Sequence, residues 1–262
     1  MRRSDVKVFI HLLKVNIKKT LIYRTNFWIS LFAMALWMGI YVIFFEILFM
    51  HIDDLAGWSK GEMLIFLSFY YFVQAMGNVL YRESFEIFGD KMRQGGIDFV
   101  LTKPVSKQIL LFFDEIRFDH IVDFFLTALL FVYAVLQTGI VIQPGLFLIG
   151  IVLAIFGNIL FYGLLLLIAS LLFYVDRMDG IGSFMWHLSQ ISRFPRQIYS
   201  GWGKWLFQFI FPLALLVSLP TEVALGHIDI KMLFYFIAIS LLFFALGNLS
   251  FSLGLRRYSS AN

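Results

Sequence analysis

Hydrophobic residues in this chain fall into long runs that short polar segments separate. Five runs have roughly the 20 residues that an α-helix needs to cross about 30 Å of hydrocarbon. They cover approximately residues 27–50, 63–81, 119–138, 146–174 and 232–253. The pattern predicts an all-α integral membrane protein with a single transmembrane domain over residues 1–262.

A sixth crossing must come from residues 180–225, and two alternatives fit the pattern. In the first, residues 180–200 are cytosolic, as the positive-inside rule favours, and the strongly apolar residues 205–225 form a continuous fifth span, although Pro212 and Pro220 interrupt them. In the second, residues 180–195 form a polar-lined fifth span and residues 205–225 form a re-entrant hairpin. Non-helical backbone at membrane depth is tolerated where protein or a water-filled cavity covers it. Both alternatives give six transmembrane helices.

The N-terminal segment predicts an amphipathic helix over residues 4–24. A basic stripe recurs at helical spacing beside an apolar stripe that includes Ile10, Ile17 and Leu21. This arrangement is typical of a helix that lies in the headgroup region of a membrane. We therefore expect an interfacial helix before the first span.

Composition supports the membrane assignment and narrows the chemistry. Hydrophobic residues make up 60% of the chain and the mean hydropathy is +0.84, well above a soluble domain. The chain has no cysteine, which excludes disulfides, thiolate metal sites and cysteine nucleophiles. We expect no cleavable signal peptide, because the basic N-terminus has no small-residue cleavage site.

The positive charges predict the orientation of the spans. Seven of the 21 Lys and Arg residues precede the first span, one lies in the next connection, and six lie between the second and third spans. The positive-inside rule then places both termini and the loop over residues 82–118 in the cytoplasm of an inner-membrane protein. This distribution serves topology, so we expect no nucleic-acid partner.

The sequence predicts no catalytic, cofactor or metal site. It contains no nucleotide-binding P-loop, and its five histidines are scattered. Among the few polar residues near the spans, Asp123 is a candidate for an entry gate, because an ionisable side chain below the headgroups is costly. The low polar content argues against an ion-coupled secondary transporter and suits an amphipathic or lipid-like cargo.

Two patches resemble permeases of the ABC-2 type, in particular the six-span ABC-2 family transporter proteins. The first is Gly95-Gly96-Ile97-Asp98-Phe99-Val100-Leu101-Thr102-Lys103-Pro104-Val105-Ser106, with glycines, an acidic residue, hydrophobic residues and a Pro-Val-Ser turn. The second is the proline-punctuated region from Phe194 to Pro220. The resemblance covers nearly the whole chain as topology, and these two patches as motif.

The resemblance implies a coupling helix at about residues 91–101, which docks into a groove on an ATPase subunit. Phe99 and Leu101 would fill an apolar groove, and Lys91, Arg93 and Asp98 would set the register. Gly96 and Pro104 would bound the helix so that it moves as a rigid body. It also implies that residues 205–225 are re-entrant, with Pro212 and Pro220 in a gate at the outer end of the pathway, and so favours the second alternative.

The family further implies an ATP-driven exporter that works as a permease dimer, with an identical or a sister permease as the second half. ATP and magnesium would bind to a separate P-loop ATPase, and this chain would bind no cofactor and catalyse no reaction. Two other functions stay open from the sequence: an ion-coupled secondary transporter, and a membrane scaffold or assembly factor that transports nothing.

Overall fold

A computed structural model describes residues 3–22, 24–175 and 181–258 of the 262-residue chain. The described residues form helices and no β-strands. The α-helices are α1 (Arg3–Ile22), α2 (Arg24–Leu48), α3 (Lys60–Leu80), α4 (Arg82–Glu86), α5 (Phe88–Arg93), α6 (Gly96–Leu101), α7 (Lys107–Phe112), α8 (Ile121–Thr138), α9 (Pro144–Leu171), α10 (Ile181–Gln190), α11 (Gly201–Trp205), α12 (Leu215–Ala224) and α13 (Ile230–Arg257). The predicted all-α membrane fold is confirmed.

Five of these helices are long and apolar enough to cross a membrane, namely α2, α3, α8, α9 and α13. Local signals set several of their ends. Ser59 and Glu62 form a capping box at the start of α3, and the Asp229 carboxylate accepts from the Met232 N–H at the start of α13. Gly139 ends α8 in a left-handed conformation with φ +65°. The observed bounds lie within a few residues of the predicted spans.

Helix α3 forms the centre of the bundle and α2 lies at its edge. In the most apolar part of each helix, 78% of the α3 residues are buried, compared with 11% for α2 and 17% for α13. Helix α3 packs against α8, α9 and α12. The outer helices therefore present most of their apolar surface outwards, as expected for a protein whose surroundings are lipid.

Helices α9 and α13 approach each other to backbone contact. A Cβ atom added at Gly163 would lie 2.6 Å from the backbone carbonyl carbon of Phe243. One added at Gly247 would lie 2.5 Å from the carbonyl oxygen of Gly163. Small residues allow such close packing between membrane helices, where no hydrophobic effect drives helices together.

The bundle has two ends, which we name by what they carry. The loop end carries residues 82–118, and the hairpin end carries residues 49–59 and 225–229. Helix α10 starts at the loop end, where Gly182 lies beside Glu86. The chain then follows α3, and at the hairpin end Gln197 accepts a hydrogen bond from the Trp58 indole at 3.1 Å. Residues 181–198 thus pass from one end of the bundle to the other, as the second alternative predicts for the fifth span.

Residues 201–224, which we call the hairpin, are bent sharply in the middle and do not form one continuous helix. Helix α11 continues into a π-helical turn over Leu206–Ile210, and this arm meets α12 at an angle of 85°. Both ends of the segment lie at the hairpin end, because Arg196 contacts Glu222 and His227 lies 4.0 Å from Glu62. This geometry fits the re-entrant alternative, which stays a prediction, and no continuous helix forms over residues 205–225.

Candidate functional site

The loop over residues 82–118 is a folded unit built from four short helices and an aromatic core. The rings of Phe85 and Phe112 stack with centroids 4.1 Å apart, and Phe88 and Phe112 both contact Phe251 of α13. The side chains of these four phenylalanines are at most 1% exposed. The aromatic core therefore joins the loop firmly to the last span.

The prediction of one continuous coupling helix over residues 91–101 is wrong in its local structure. Helix α5 ends at Arg93 and α6 begins at Gly96, with Gly95 between them at φ +70°. A side chain is strained in this left-handed region, and glycine is not. A Cβ atom added at Gly96 would also lie 3.2 Å from the Lys91 carbonyl oxygen. The two glycines therefore make a sharp corner where the sequence suggested only a hinge.

Helix α6 buries one side and presents the other. Ile97 is fully buried, and Leu101 is partly buried against the hydrophobic core. Phe99 is 68% exposed, and the Lys103 ammonium lies 4.2 Å from its ring centroid. Pro104 is exposed in the turn that follows. The structure therefore offers Phe99 as an exposed aromatic side chain, while Leu101 lies partly against the chain itself.

Lys107 closes the far end of α6, a role that sequence reasoning missed. Its ammonium donates to the carbonyl oxygens of Val100 at 3.2 Å and Leu101 at 2.9 Å, and also to that of Lys103. The last carbonyls of a helix have no partner within the helix, and a cation there is favourable. A lysine six residues after a short apolar helix is the only sequence signal of this contact.

Replacing Lys107 with methionine should loosen α6. Hydrogen bonds from a charged donor contribute about 1.5–3 kcal/mol, so we expect amide exchange over residues 96–106 to accelerate roughly tenfold or more. Hydrogen exchange measured by mass spectrometry on the purified protein checks this. Lys103→Met is the matched control, because it removes the same charge but only an exposed cation–π contact. Equal exchange in the two variants would refute the cap.

The N-terminal helix α1 holds the loop at three points. The Asp5 carboxylate accepts from the Ser106 N–H at 3.0 Å, and the Asn16 amide donates to the Asp114 carbonyl at 2.8 Å. Lys19 pairs with Glu115 at 3.2 Å. Helix α1 therefore fixes the position of the loop, and its predicted interfacial location stays a prediction.

The predicted register residues have partners inside the loop end. Lys91 pairs with Asp114, and Arg93 pairs with Asp90 on the same helix. Burial is the main cause that raises the pKa of Tyr258, the residue after α13, and the nearby Asp98 carboxylate is the second. Asp98 thus lies beside the end of the last span. Among Lys91, Arg93 and Asp98, Arg93 is the most exposed.

Asp123 is fully buried near the loop end, at the start of α8. One carboxylate oxygen lies 2.9 Å from the His120 ring nitrogen and 3.5 Å from the Asn78 amide. Its other oxygen is buried without a hydrogen-bond partner, as is the Thr127 hydroxyl one turn later. Asp123 is therefore buried inside the protein, and its depth below the headgroups and its role in a gate stay predictions.

Arg117 binds the neighbouring carboxylates just before α8. It donates to Asp119 at 2.8 and 2.9 Å and to Glu83 at 3.0 Å. The hydrogen bond that Arg117 donates to Asp119 is the main reason that the pKa of Arg117 lies above its ordinary value. Arg117 stays charged, so this cluster is an ion-pair lock between α4 and the start of α8.

The two prolines of the predicted gate occupy different parts of the hairpin. Pro212 is buried in the bend between the two arms, and Pro220 is buried within α12. Pro220 has no N–H to donate to the Leu216 carbonyl, four residues earlier. That carbonyl faces Gly157 of α9, where an added Cβ atom would lie only 2.8 Å away. The hairpin therefore packs by backbone contact against α9.

The sites are grouped as follows. The loop end carries Asp123 and all the predicted coupling residues, whereas Pro212 and Pro220 of the predicted gate belong to the hairpin. The coupling residues are Lys91, Arg93, Gly96, Asp98, Phe99, Leu101 and Pro104. No set of three or more His, Asp or Glu side chains within residues 3–22, 24–175 and 181–258 is arranged to hold a metal ion.

Comparison with known proteins identifies the family. A family model described as ABC-2 family transporter protein matches residues 35–262, which include most of α2, the loop, the hairpin and every later span. No curated protein matches the chain, and neither does any solved structure. The matched region covers well over half of the chain and coincides with its bundle of apolar helices. The chain therefore belongs to the ABC-2 transporter family and is a multi-pass membrane permease of ABC exporters.

Proposed function

We propose that this permease is one half of a dimeric, ATP-driven exporter, and that a separate P-loop ATPase docks on the loop over residues 82–118. The observation that carries this proposal is the exposed Phe99 on a helix that is otherwise fixed in place. An aromatic side chain on a rigid surface loses little conformational entropy on binding, and aromatic residues are enriched among the residues that dominate interfaces.

The contacts around α6 support its use as a mechanical link. Ile97 anchors one side of the helix in the core, and Lys107 holds its end. The loop continues directly into α3 at one side and α8 at the other, and its aromatic core contacts α13. A displacement of α6 by a closing ATPase would therefore reach three spans without a flexible connection.

The same proposal assigns sides and partners. The chain lies in the inner membrane, and its loop end and both termini are on the cytoplasmic side, as the distribution of Lys and Arg indicates. ATP and magnesium bind to the ATPase, which supplies the hydrolysis. The second permease is an identical or a sister chain, and the dimer interface opens alternately to the two sides for an amphipathic cargo.

Purification of the tagged chain from its native host in mild detergent tests this proposal. We expect a P-loop ATPase at stoichiometric amounts, and a roughly tenfold or greater loss of that subunit in Phe99→Ala, because an interfacial hot spot contributes about 2 kcal/mol or more. Phe234→Ala is the matched control, since Phe234 is also 68% exposed and lies near the hairpin end.

Two results would contradict the proposal. A homogeneous complex without an ATPase would argue for a secondary transporter or a scaffold. If both Phe99→Ala and Phe234→Ala retain the ATPase, the exporter assignment stands, but the ATPase does not dock on α6.

A further inference from the structure

Arg193 is a cation within the helix bundle, on the segment predicted as the fifth crossing. Its guanidinium carbon lies 3.8 Å from the ring centroid of Tyr41 on α2 and 5.3 Å from that of Tyr70 on α3. It donates to the Tyr70 hydroxyl at 3.2 Å, and to Tyr41 and Gln190 as well. Tyr70 is ten residues into the 21-residue α3, about 15 Å from its start and so near the middle of the bundle.

The structure gives Arg193 no carboxylate partner among the residues it describes. Helix α10 contains no acidic residue, α2 contains only Glu46, and α3 contains only Glu62. Glu46 pairs with Lys60, and Glu62 accepts from the Ser59 hydroxyl and N–H as part of the capping box. The Nε atom of Arg193 is buried and has no hydrogen-bond acceptor. Arginines within membrane helices normally pair with an acidic group or mark a substrate path.

The surroundings of Arg193 suit a molecule that is polar at one end and apolar at the other. Ser183, His187, Gln190 and Arg193 recur at helical spacing and form one stripe, of which Ser183 and His187 are exposed. Exposed aromatic side chains lie on the same helix, at Phe184 and Trp186, and on α2, which carries Tyr41, at Trp37 and Phe44. A polar stripe at this depth is costly against lipid tails, so a hydrated or occupied cleft suits it better.

We infer that Arg193, with Tyr41, Tyr70 and Gln190, binds the phosphate or carboxylate group of an amphipathic molecule within the membrane. The inference rests on the proposed exporter function, because it names the chemical class of the cargo. Charge complementarity decides the chemical class of the ligand. The site has one cation with no carboxylate partner in the described part of the chain, hydroxyl and amide groups surround this cation, and aromatic side chains lie beside it. Guanidinium groups bind such oxyanions with paired hydrogen bonds.

Electron paramagnetic resonance of spin-labelled amphiphiles tests the site without an ATPase or a known cargo. The full chain is reconstituted in phosphatidylcholine nanodiscs with trace spin-labelled phosphatidic acid or, separately, spin-labelled phosphatidylcholine. We expect a severalfold higher motionally restricted fraction for phosphatidic acid with the wild-type chain. Arg193→Gln should bring the two fractions to equality, and Arg193→Lys should give an intermediate preference.

Lys204→Gln is the matched control, because it removes one exposed positive charge from the same half of the bundle. If it abolishes the preference as fully as Arg193→Gln, or if Arg193→Gln keeps the wild-type preference, the site is refuted. If millimolar inorganic phosphate displaces the spin-labelled lipid, the ligand is a free oxyanion, and the inference of an amphipathic ligand is refuted. Arg193→Lys keeps the test valid if Arg193→Gln does not fold. The lipid measurement needs no ATPase. Absence of an ATPase in the co-purification would therefore contradict the exporter proposal without affecting the test of the Arg193 site.

Discussion

Gly247→Ala is expected to lower the thermal unfolding midpoint of this permease by an amount on the order of 10 °C. The added methyl group would lie 2.5 Å from the Gly163 carbonyl oxygen, which is backbone and cannot rotate away. Helices α9 and α13 would have to separate along their length, and overpacking of this kind costs typically 1–3 kcal/mol, here at the upper end. About 3 kcal/mol corresponds to a shift of this size in a domain of 150–250 residues.

The matched control is Gly39→Ala in α2. An added Cβ at Gly39 has nothing within 4 Å, and alanine is the better helix former by about 1 kcal/mol. We therefore expect an unchanged or slightly higher midpoint for this variant, measured in the same detergent. Equal midpoints for Gly247→Ala and Gly39→Ala would contradict backbone contact between α9 and α13.

Glu222→Leu should have the second large effect, because it leaves a cation without its partner inside the hairpin. The Arg196 guanidinium donates to the two Glu222 carboxylate oxygens at 2.8 and 3.1 Å, and the Gln197 amide donates at 2.7 Å. The Glu222 side chain is only 5% exposed. Removal of one partner from a buried ion pair costs about 3–5 kcal/mol, since the remaining charge stays desolvated.

The double variant Arg196→Leu/Glu222→Leu separates this cause from simple loss of packing. Replacement of a whole buried pair by apolar residues is often close to neutral, so we expect the double variant to recover most of the lost stability. Asp53→Leu removes an exposed carboxylate at the same end and should change little. Thermal midpoints and hydrogen exchange over residues 201–224 measure both effects. A double variant as unstable as Glu222→Leu would show that the ion pair is not the cause.

The positions of Arg193 and Arg196 also explain why charge counting conflicts with the hairpin. The positive-inside rule favours a cytoplasmic location for residues 180–200, whereas the structure carries them across the bundle. Arg196 is neutralised by Glu222, and Arg193 is stacked on two tyrosines. Neither partner is adjacent in the sequence, so a count of charges by segment could not detect the compensation.

Long apolar runs were enough to predict the membrane fold and its five long spans from the sequence. Hydropathy acts locally, because each span must satisfy its own backbone hydrogen bonds within the helix. The glycines and the Pro-Val-Ser turn also identified the loop over residues 82–118, since these residue types restrict the backbone wherever they occur.

The tertiary structure alone decided which segments touch. The corner at Gly95, the Lys107 cap on α6 and the contact of Gly163 with Gly247 depend on the distance between elements that are far apart or separately folded. The sequence contains the small-residue pairs Ala35/Gly39, Gly150/Ala154 and Ser250/Gly254, each four residues apart. An added Cβ at Gly39 meets nothing within 4 Å, whereas one at Gly150 would lie 2.7 Å from the Pro220 carbonyl oxygen. Neither Gly163 nor Gly247 belongs to such a pair. A local pattern shows which helices can approach closely, and packing of the whole bundle selects the pair that does.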